Sequence, residues 1–353
     1  MARNSVPSYI RLGTAFRVTF KSTEMHAFRT ELKPSRSSFE IHHQSNILCV
    51  GSCFAENIGT RLSTLKFSTI INPFGIVYNP VSIGKGMIFL LDGHTVSEKD
   101  IFQYRELWHS KLHHERFSKY NASEAIDGIN RSSHQATLFI DHIDYIFITL
   151  GTAHVYVEKE TGEVVANCHK LPSSHFERKL LDIAEVEAHL QAALNRLKML
   201  RPNVRAILTV SPVRHIRDGI IENQCSKSIL RVAVANVCAA LDFAEYFPAY
   251  EIMLDDLRDY RFYEPDMIHP NQVAIDYIWD FFSHTYFSSE TKQIIEETQK
   301  IQRAAQHRSF HPKTQAHQTF VANTLLKIED MERSVPFLNF GKEREVLLRG
   351  GRL

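Results

Sequence analysis

The sequence predicts an α/β fold in which helices cover both faces of a parallel sheet. Short, mainly apolar runs, typical of buried parallel strands, occur at residues 47–50, 144–150 and 204–210, and a further strand is predicted within residues 246–253, at 249–253. Residues 180–200 form an amphipathic stretch in which large apolar side chains recur every three or four positions. Strands that alternate with helices in this way favour a three-layer α/β/α architecture of the flavodoxin-like kind.

The composition is that of a globular protein without a charged partner. Hydrophobic residues make up 44% of the 353, and 41 Lys and Arg against 40 Asp and Glu give a net charge of +1. No overall field draws such a chain to nucleic acid or to a membrane surface, so neither is predicted as a partner. The five cysteines follow neither a zinc nor a disulfide spacing, and no apolar run approaches a membrane span. We expect a cytoplasmic protein.

The chain order predicts one main domain with extensions at both ends. Met25 is an alternative to Met1 as the start, because the patterned sequence opens there. The expected parts are an unstructured N-terminal extension (1–24), an α/β domain (25–288), a C-terminal helical extension (289–340) and a flexible tail (341–353). The C-terminal extension is predicted to form two helices, which pack on the domain or form a homodimer contact.

The stretch 47–59 carries the clearest chemical signal. A short strand, residues 47–50, stops at Gly51, and helical spacing resumes at residues 56–62. The turn between them holds two nucleophiles, Ser52 and Cys53. Backbone N–H groups at a helix N-terminus lower a thiol pKa and stabilise an oxyanion. The alternative is a tight turn that holds a buried free cysteine.

Polar residues also follow the later strands. Asn72 lies in a loop framed by prolines, and its carboxamide can donate hydrogen bonds. A hairpin is predicted at residues 155–165, and Asn167-Cys168-His169-Lys170 follows it. Arg214 comes after the strand at 204–210, where α/β folds bind ligands, together with Ser211 and His215. His109, His113 and His114 lack an HExxH pattern, so no metal site is predicted.

Asp266 and His269 form the last informative pair. They stand three residues apart, before Pro270 and a predicted helix from residue 272 onward. A hydroxyl nucleophile needs a positioned imidazole to take its proton, a thiol forms an ion pair with one, and a carboxylate orients the ring.

The motif Gly51-Ser52-Cys53-Phe54-Ala55 resembles, letter for letter, the signature that names the GSCFA family. That family is similar to the wider SGNH (GDSL-type) hydrolases and acyltransferases. The resemblance implies that Ser52 takes the place of an aspartate, Cys53 that of the nucleophilic serine and Glu56 that of a glutamate. It also implies that His269 is the general base and that Asp266 orients it.

The resemblance implies an oxyanion hole as well. Gly75 matches the glycine of the second SGNH block and Gly151 that of the third, but Ala153 stands where the third block has an asparagine. Thr152, Asn72 or Asn167 is then expected to supply the missing donor. The segment 167–170, with His169, resembles a second GSCFA signature and is expected at the pocket mouth.

Together these features predict a hydrolase or acyltransferase that acts on an ester, such as an O-acyl or O-acetyl group of a carbohydrate or small molecule. The chemistry requires no metal or organic cofactor. The alternative is an SGNH-like binding protein that has lost the reaction, which the thiol nucleophile and Ala153 favour. A thiol redox protein is a third class, but no CxxC motif is present.

Overall fold

The computed structural model describes residues 30–307 and 309–349. Its strands are β1 (Asn46–Gly51), β2 (Ser68–Ile71), β3 (Phe102–Tyr104), β4 (Leu107–His109), β5 (Tyr145–Leu150), β6 (His154–Glu158), β7 (Val164–Val165), β8 (Phe176–Leu180), β9 (Arg205–Val210) and β10 (Ala244–Tyr246). Its helices are α1 (Cys53–Thr64), α2 (Pro80–Leu91), α3 (Ala122–Ile140), α4 (Ile183–Leu200), α5 (Ile220–Ala240), α6 (Ala249–Leu254), α7 (Gln272–Tyr286), α8 (Ser289–Gln306), α9 (Gln315–Ser334) and α10 (Gly341–Leu348).

A five-stranded parallel sheet forms the centre, in the order β10-β9-β5-β1-β2. Alternate residues of its strands enter two apolar clusters, one on each face. Leu48 and Ile146 pack in the first cluster, while Ile47 and Phe147 pack in the second. Because both faces are buried, the central strands β1, β5 and β9 are mainly apolar, which explains the apolar runs in the sequence. The predicted three-layer α/β/α fold is confirmed.

The insertions lie beside this sheet. β6 and β7 form the predicted hairpin, and β8 pairs with the other side of β6 to give a three-stranded antiparallel sheet. β3 and β4 form a separate hairpin between α2 and α3. The helix predicted at residues 180–200 begins at Ile183 instead. β8 extends to Leu180, and Asp182 caps α4 in a capping box with Glu185.

The strand predicted at residues 249–253 is wrong. The fifth strand of the sheet is β10, and residues 249–254 form the helix α6. Pro248 separates the two elements and stands at the N-cap of α6. The apolar residues at 249, 252 and 253 therefore follow a helical spacing toward the core, which a five-residue window does not distinguish from a strand.

The C-terminal helices form an apolar cluster of their own. Ile294 and Ile301 of α8 pack with Ile328 of α9 and with Phe340 and Leu347 at α10. The predicted flexible tail, 341–353, thus contains the helix α10, and residues 350–353 lie outside the described residues, as does the predicted extension 1–24. The domain limits and the homodimer contact stay predictions. None of the described helices is both long and apolar enough to cross a membrane.

Candidate active site

The turn between β1 and α1 is shaped by a glycine. Gly51 has a φ of 131°, and a Cβ there would lie 2.1 Å from the carbonyl oxygen of Thr149 on β5. Its N–H donates to Oδ1 of Asn72 at 2.9 Å. The next residue, Ser52, donates its N–H to that same Thr149 oxygen at 3.1 Å. Close contact with β5 therefore explains why this turn has no side chain at position 51.

Ser52 is a buried capping residue. Its side chain is the N-cap of α1, where Oγ accepts the N–H of Phe54 at 3.2 Å. The same hydroxyl donates to Oγ of Ser211, the residue after β9, at 3.0 Å. With 1% of its surface exposed, Ser52 has its hydroxyl committed to neighbours on both sides.

Cys53 is the first residue of α1 and is only partly buried. Burial raises the pKa of its thiol above the usual 9.0, and the carboxylate of Glu56 acts in the same direction. The N–H groups of Cys53 and Phe54 and the ammonium of Lys227 lower this pKa. Burial and Glu56 thus favour the neutral thiol, whereas the two N–H groups and Lys227 favour the thiolate.

The side chain of Asn72 holds an unpaired, buried hydrogen-bond donor next to the same turn. Its backbone has a φ of 45°, and its side chain is 1% exposed. While Oδ1 accepts the Gly51 N–H, Nδ2 has no hydrogen-bond partner among the described residues. Buried amide donors are nearly always paired, so an unpaired one beside a nucleophile suits a ligand oxygen.

The N–H of Gly75, which was expected in the oxyanion hole, is already engaged in a hydrogen bond. Its N–H donates to the carbonyl oxygen of Asn72 at 2.7 Å, within a turn. A Cβ at this position would lie 2.2 Å from Cβ of His114, and φ is 78°. Gly75 thus permits a close approach of His114, while its N–H serves the loop itself.

Gly151 and Thr152 end β5 and contact two other elements. The Gly151 N–H donates to the carbonyl of Tyr78 at 2.7 Å, and a Cβ there would lie 2.8 Å from Nε2 of His215. Thr152 Oγ1 shares a hydrogen bond of 2.9 Å with Oγ of Ser226 on α5. Neither residue offers a free donor, and their effect is to seat the His215 ring against the strand end.

Asn167 and His169 are joined to the β3–β4 hairpin. Asn167 Oδ1 accepts the His169 N–H at 2.8 Å, and Nε2 of His169 lies 2.7 Å from the carbonyl oxygen of Ser110. The ring contacts that of His109 at a tilt of 37°, with 4.5 Å between centroids. Burial lowers the pKa of His169 to about 4, so this imidazole is neutral at physiological pH. It holds the insertion in place.

Asp266 and His269 form a tight pair. His269 Nδ1 lies 2.7 Å from Oδ2 of Asp266, and Oδ1 accepts the N–H groups of Ile268 and His269. These hydrogen bonds lower the pKa of Asp266 to about 2, which keeps it ionised. The carboxylate fixes the Nδ1–H tautomer of the ring and turns Nε2 outward. In the part of the chain that the structure describes, Nε2 makes no hydrogen bond.

Arg214 attaches this pair to the sheet edge. The backbone N–H of Arg214 donates to the carbonyl oxygen of Ile268 at 3.2 Å, and its guanidinium lies 4.1 Å from the ring centroid of Tyr263. The loop with His269 is thereby held to the loop that follows β9. These contacts support the histidine loop, and the ligand-binding role of Arg214 stays a prediction.

Electrostatic interactions connect the titratable side chains at this edge of the sheet. Burial lowers the pKa of His215 to about 3, and the positive charges of Lys227 and His269 contribute. Lys227 in turn interacts with Cys53. The ends of β1, β5 and β9 therefore gather Cys53, Lys227, His215 and His269 at the carboxyl edge of the sheet, where α/β folds bind ligands.

Lys227 is the residue that sequence reasoning missed. It lies on α5, is 1% exposed, and donates from Nζ to the carbonyl of Ser211 at 2.7 Å. A signal was available, because Asn223, Leu230 and Val234 of the same helix are also buried and share its face. A lysine in the middle of an apolar face is an anomaly that periodicity can detect.

Two cavities differ in their relation to this edge. One of about 60 Å³ is lined by Tyr78, Thr152 and His215 and so adjoins it. A larger one, about 520 Å³, lies between α2, α4 and the hairpin and is lined by Ile88 and Val164 among others. The smaller one meets this edge through His215, but Cys53 and His269 line neither cavity, so the cavities alone do not identify the site.

Comparisons with individual known proteins do not indicate a function. A search of curated proteins gave no match. A solved structure described as a provisionally assigned platelet activating factor from Streptococcus pneumonia is 13% identical over 68% of this chain and 83% of its own, with a TM-score of 0.35. A likeness at that level carries no argument.

Family models match most of the chain. The model of the GSCFA domain protein, C-terminal domain, matches residues 298–350. The model described as GSCFA family matches residues 46–282, which is more than half of the chain and includes the whole carboxyl edge of the sheet. The chain therefore belongs to the GSCFA family.

Proposed function

We propose that this protein is an ester hydrolase or acyltransferase that uses Cys53 as its nucleophile, in the manner of the SGNH enzymes that its motif resembles. The Cys53 sulfur attacks the ester carbonyl, and its proton passes to Nε2 of His269. The leaving alcohol takes that proton, and a thioester remains. Water or a second alcohol, deprotonated by His269, then releases the acyl group and restores the thiol.

The observation that carries the proposal is the attachment of the Asp266–His269 pair to the edge that holds Cys53. The pair is a preformed base with its orienting carboxylate, 2.7 Å apart, and Nε2 faces away from that carboxylate. The hydrogen bond from Arg214 to Ile268 holds its loop against the end of β9. A base of this kind in a ligand-binding edge is typical of acyl transfer.

The hydrogen bonds favour Cys53 over Ser52 as the nucleophile. Ser52 is 1% exposed and its hydroxyl is engaged with Phe54 and Ser211, so attack would require that both contacts break. Cys53 is partly exposed and begins the helix. Its own N–H and the unpaired Nδ2 of Asn72 are the donors available for the oxyanion.

The test is hydrolysis of p-nitrophenyl acetate by the full chain, followed by a panel of O-acetylated sugars. Cys53→Ala and His269→Ala should each lower kcat/KM by roughly 10²-fold to 10⁴-fold. The matched control is His284→Ala, an exposed histidine on α7 that bonds only to its own helix. Trapped thioester should appear at Cys53 by mass spectrometry. Turnover that survives both active-site changes would exclude the mechanism.

A binding protein without catalysis is the second candidate, and the raised pKa of Cys53 favours it. A thiol that stays protonated at neutral pH attacks esters slowly. Iodoacetamide at about pH 7 separates the two functions, because it alkylates an activated thiolate much faster than a neutral buried thiol. Slow alkylation of Cys53 together with absent ester turnover would select the binding function.

A further inference from the structure

Lys227 is a lysine enclosed by the protein. It projects from α5 into the interior, where 1% of its surface is exposed. Its Nζ donates to the carbonyl of Ser211 at 2.7 Å and lies 5.7 Å from the ring centroid of Tyr250. Buried lysines are rare and are normally paired with a carboxylate. Within the described ranges, 30–307 and 309–349, no carboxylate interacts with it.

The residue whose charge acts on Lys227 is Cys53. Among the residues that the structure describes, the Cys53 thiolate carries the only charge that favours the ammonium of Lys227, and Lys227 in turn favours that thiolate. Hydrogen bonds fix the arrangement: Lys227 holds the Ser211 carbonyl, and the Ser211 hydroxyl accepts from Ser52, the neighbour of Cys53. The ammonium is thus fixed on the interior side of the turn.

We propose that Lys227 is a positioning residue for the nucleophile: its ammonium, held by the Ser211 carbonyl, is the interior counter-ion of the Cys53 thiolate. This inference rests on the proposed function, since it assumes that Cys53 works as a thiolate. Lys227 forms and breaks no covalent bond, and the thiol proton still passes to His269. The arrangement explains why a costly buried amine is kept at this place.

The neighbouring charges are consistent with this role. Glu56 on α1 opposes ionisation of Cys53, and burial opposes it further. On the other side, the loop after β9 supplies His215, which burial keeps neutral, with a pKa of about 3. Burial also lowers the pKa of Lys227 to about 7, and the thiolate charge raises it, so that ionisation of Cys53 itself keeps the ammonium protonated. From α6, Tyr250 contributes an aromatic face.

The experiment measures the pH dependence of iodoacetamide alkylation at Cys53, resolved by peptide mass spectrometry. Lys227→Met should shift the midpoint upward by about one pH unit, which is about a tenfold lower rate at neutral pH. Lys198→Met is the matched control, because Lys198 also donates from a helix to a backbone carbonyl but is not among the charges that act on Cys53. The exposed thiol of Cys225 reports reagent activity in the same molecule.

Lys227→Gln is the second variant, in case the methionine leaves the Ser211 carbonyl unpaired and the protein fails to fold. An unchanged Cys53 profile in a folded Lys227 variant would overturn the inference. Ester turnover is not part of this readout. If ester turnover requires Cys53 but the alkylation profile of the Lys227 variant is unchanged, only the inference about Lys227 is refuted. If the profile shifts but the parent protein turns over no ester, only the proposed function is refuted.

Discussion

The hydroxyl of Ser52 donates a hydrogen bond of 3.0 Å to the hydroxyl of Ser211, which joins the turn after β1 to the end of β9. β5 lies between these two strands in the sheet. The contact therefore closes over the end of β5 and fixes the turn from which Cys53 starts α1. The two adjacent nucleophiles therefore differ: the hydroxyl of Ser52 holds the turn, and the thiol of Cys53 is the one that we propose as the nucleophile.

Ser52→Ala should therefore lower stability more than an ordinary cap mutation. It removes the N-cap of α1 and one of the two hydrogen bonds that the buried hydroxyl of Ser211 accepts, so we expect a loss of about 2 kcal/mol in the free energy of unfolding. Urea unfolding measures this loss. Thr314→Ala, which removes the exposed N-cap of α9, should cost about 1 kcal/mol or less. Equal losses in both variants would contradict the role of the Ser211 contact.

Gly51→Ala should be more damaging still. The added Cβ would lie 2.1 Å from the Thr149 carbonyl oxygen, a backbone atom that cannot move without distorting β5, and the φ of 131° is strained for alanine. We expect a loss of several kcal/mol, or failure to accumulate as folded protein. Gly128→Ala on α3 is the control, because nothing lies within 4 Å of its Cβ and alanine favours helix by up to about 1 kcal/mol. A tolerated Gly51→Ala would mean that the turn can relax.

Asn72 should contribute to turnover through its amide donor. Asn72→Asp keeps the oxygen that accepts the Gly51 N–H but replaces the unpaired Nδ2 with an acceptor. If that donor binds the oxyanion, kcat should fall by about 10²-fold to 10³-fold with little change in KM. Steady-state kinetics on the ester found active for the parent enzyme measure this. Full activity of a folded Asn72→Asp protein would assign the oxyanion to other donors.

Much of the fold could be predicted because its signals are local. Mainly apolar runs gave β1, β5 and β9, and three- or four-residue spacing gave the helices. The errors came where local signals compete. Residues 249–253 are apolar and β-prone, yet they pack as α6 because Pro248 and the core on that face require it. β8 was missed since its burial alternates weakly on an exposed edge.

The site was predictable only in part, because its contacts are non-local. Asp266 and His269 are three residues apart, so their pairing could be expected from the sequence. The link between Lys227 and Cys53 crosses from the end of β9 to the end of β1 and depends on how α5 packs. Hydrogen bonds also decide which donors stay free: the Gly75 N–H is used within its own turn, while Asn72 Nδ2 is not. Residue type alone does not reveal this.

The buried histidines of the insertion should make stability depend on pH. Burial lowers the pKa of His169 from the usual 6.5 to about 4. Above about pH 6.5 both the folded and unfolded forms are neutral and the full stability is present. As the pH falls from there toward about 4, the unfolded chain takes up a proton that the folded chain does not, so stability is lost. Since His169 sits at a φ of 47°, asparagine is the replacement that tolerates its backbone.

His169→Asn should accordingly flatten the pH dependence of unfolding. Over the interval from about pH 6.5 to 4, the parent should lose up to about 3 kcal/mol more than the variant. The variant will be less stable at neutral pH, because the Ser110 carbonyl loses its partner, so the comparison concerns slope and not level. His134→Asn, at an exposed position of α3, should leave the slope unchanged. If His169→Asn and the parent lose stability in parallel, protonation of His113 or another buried histidine governs acid unfolding instead.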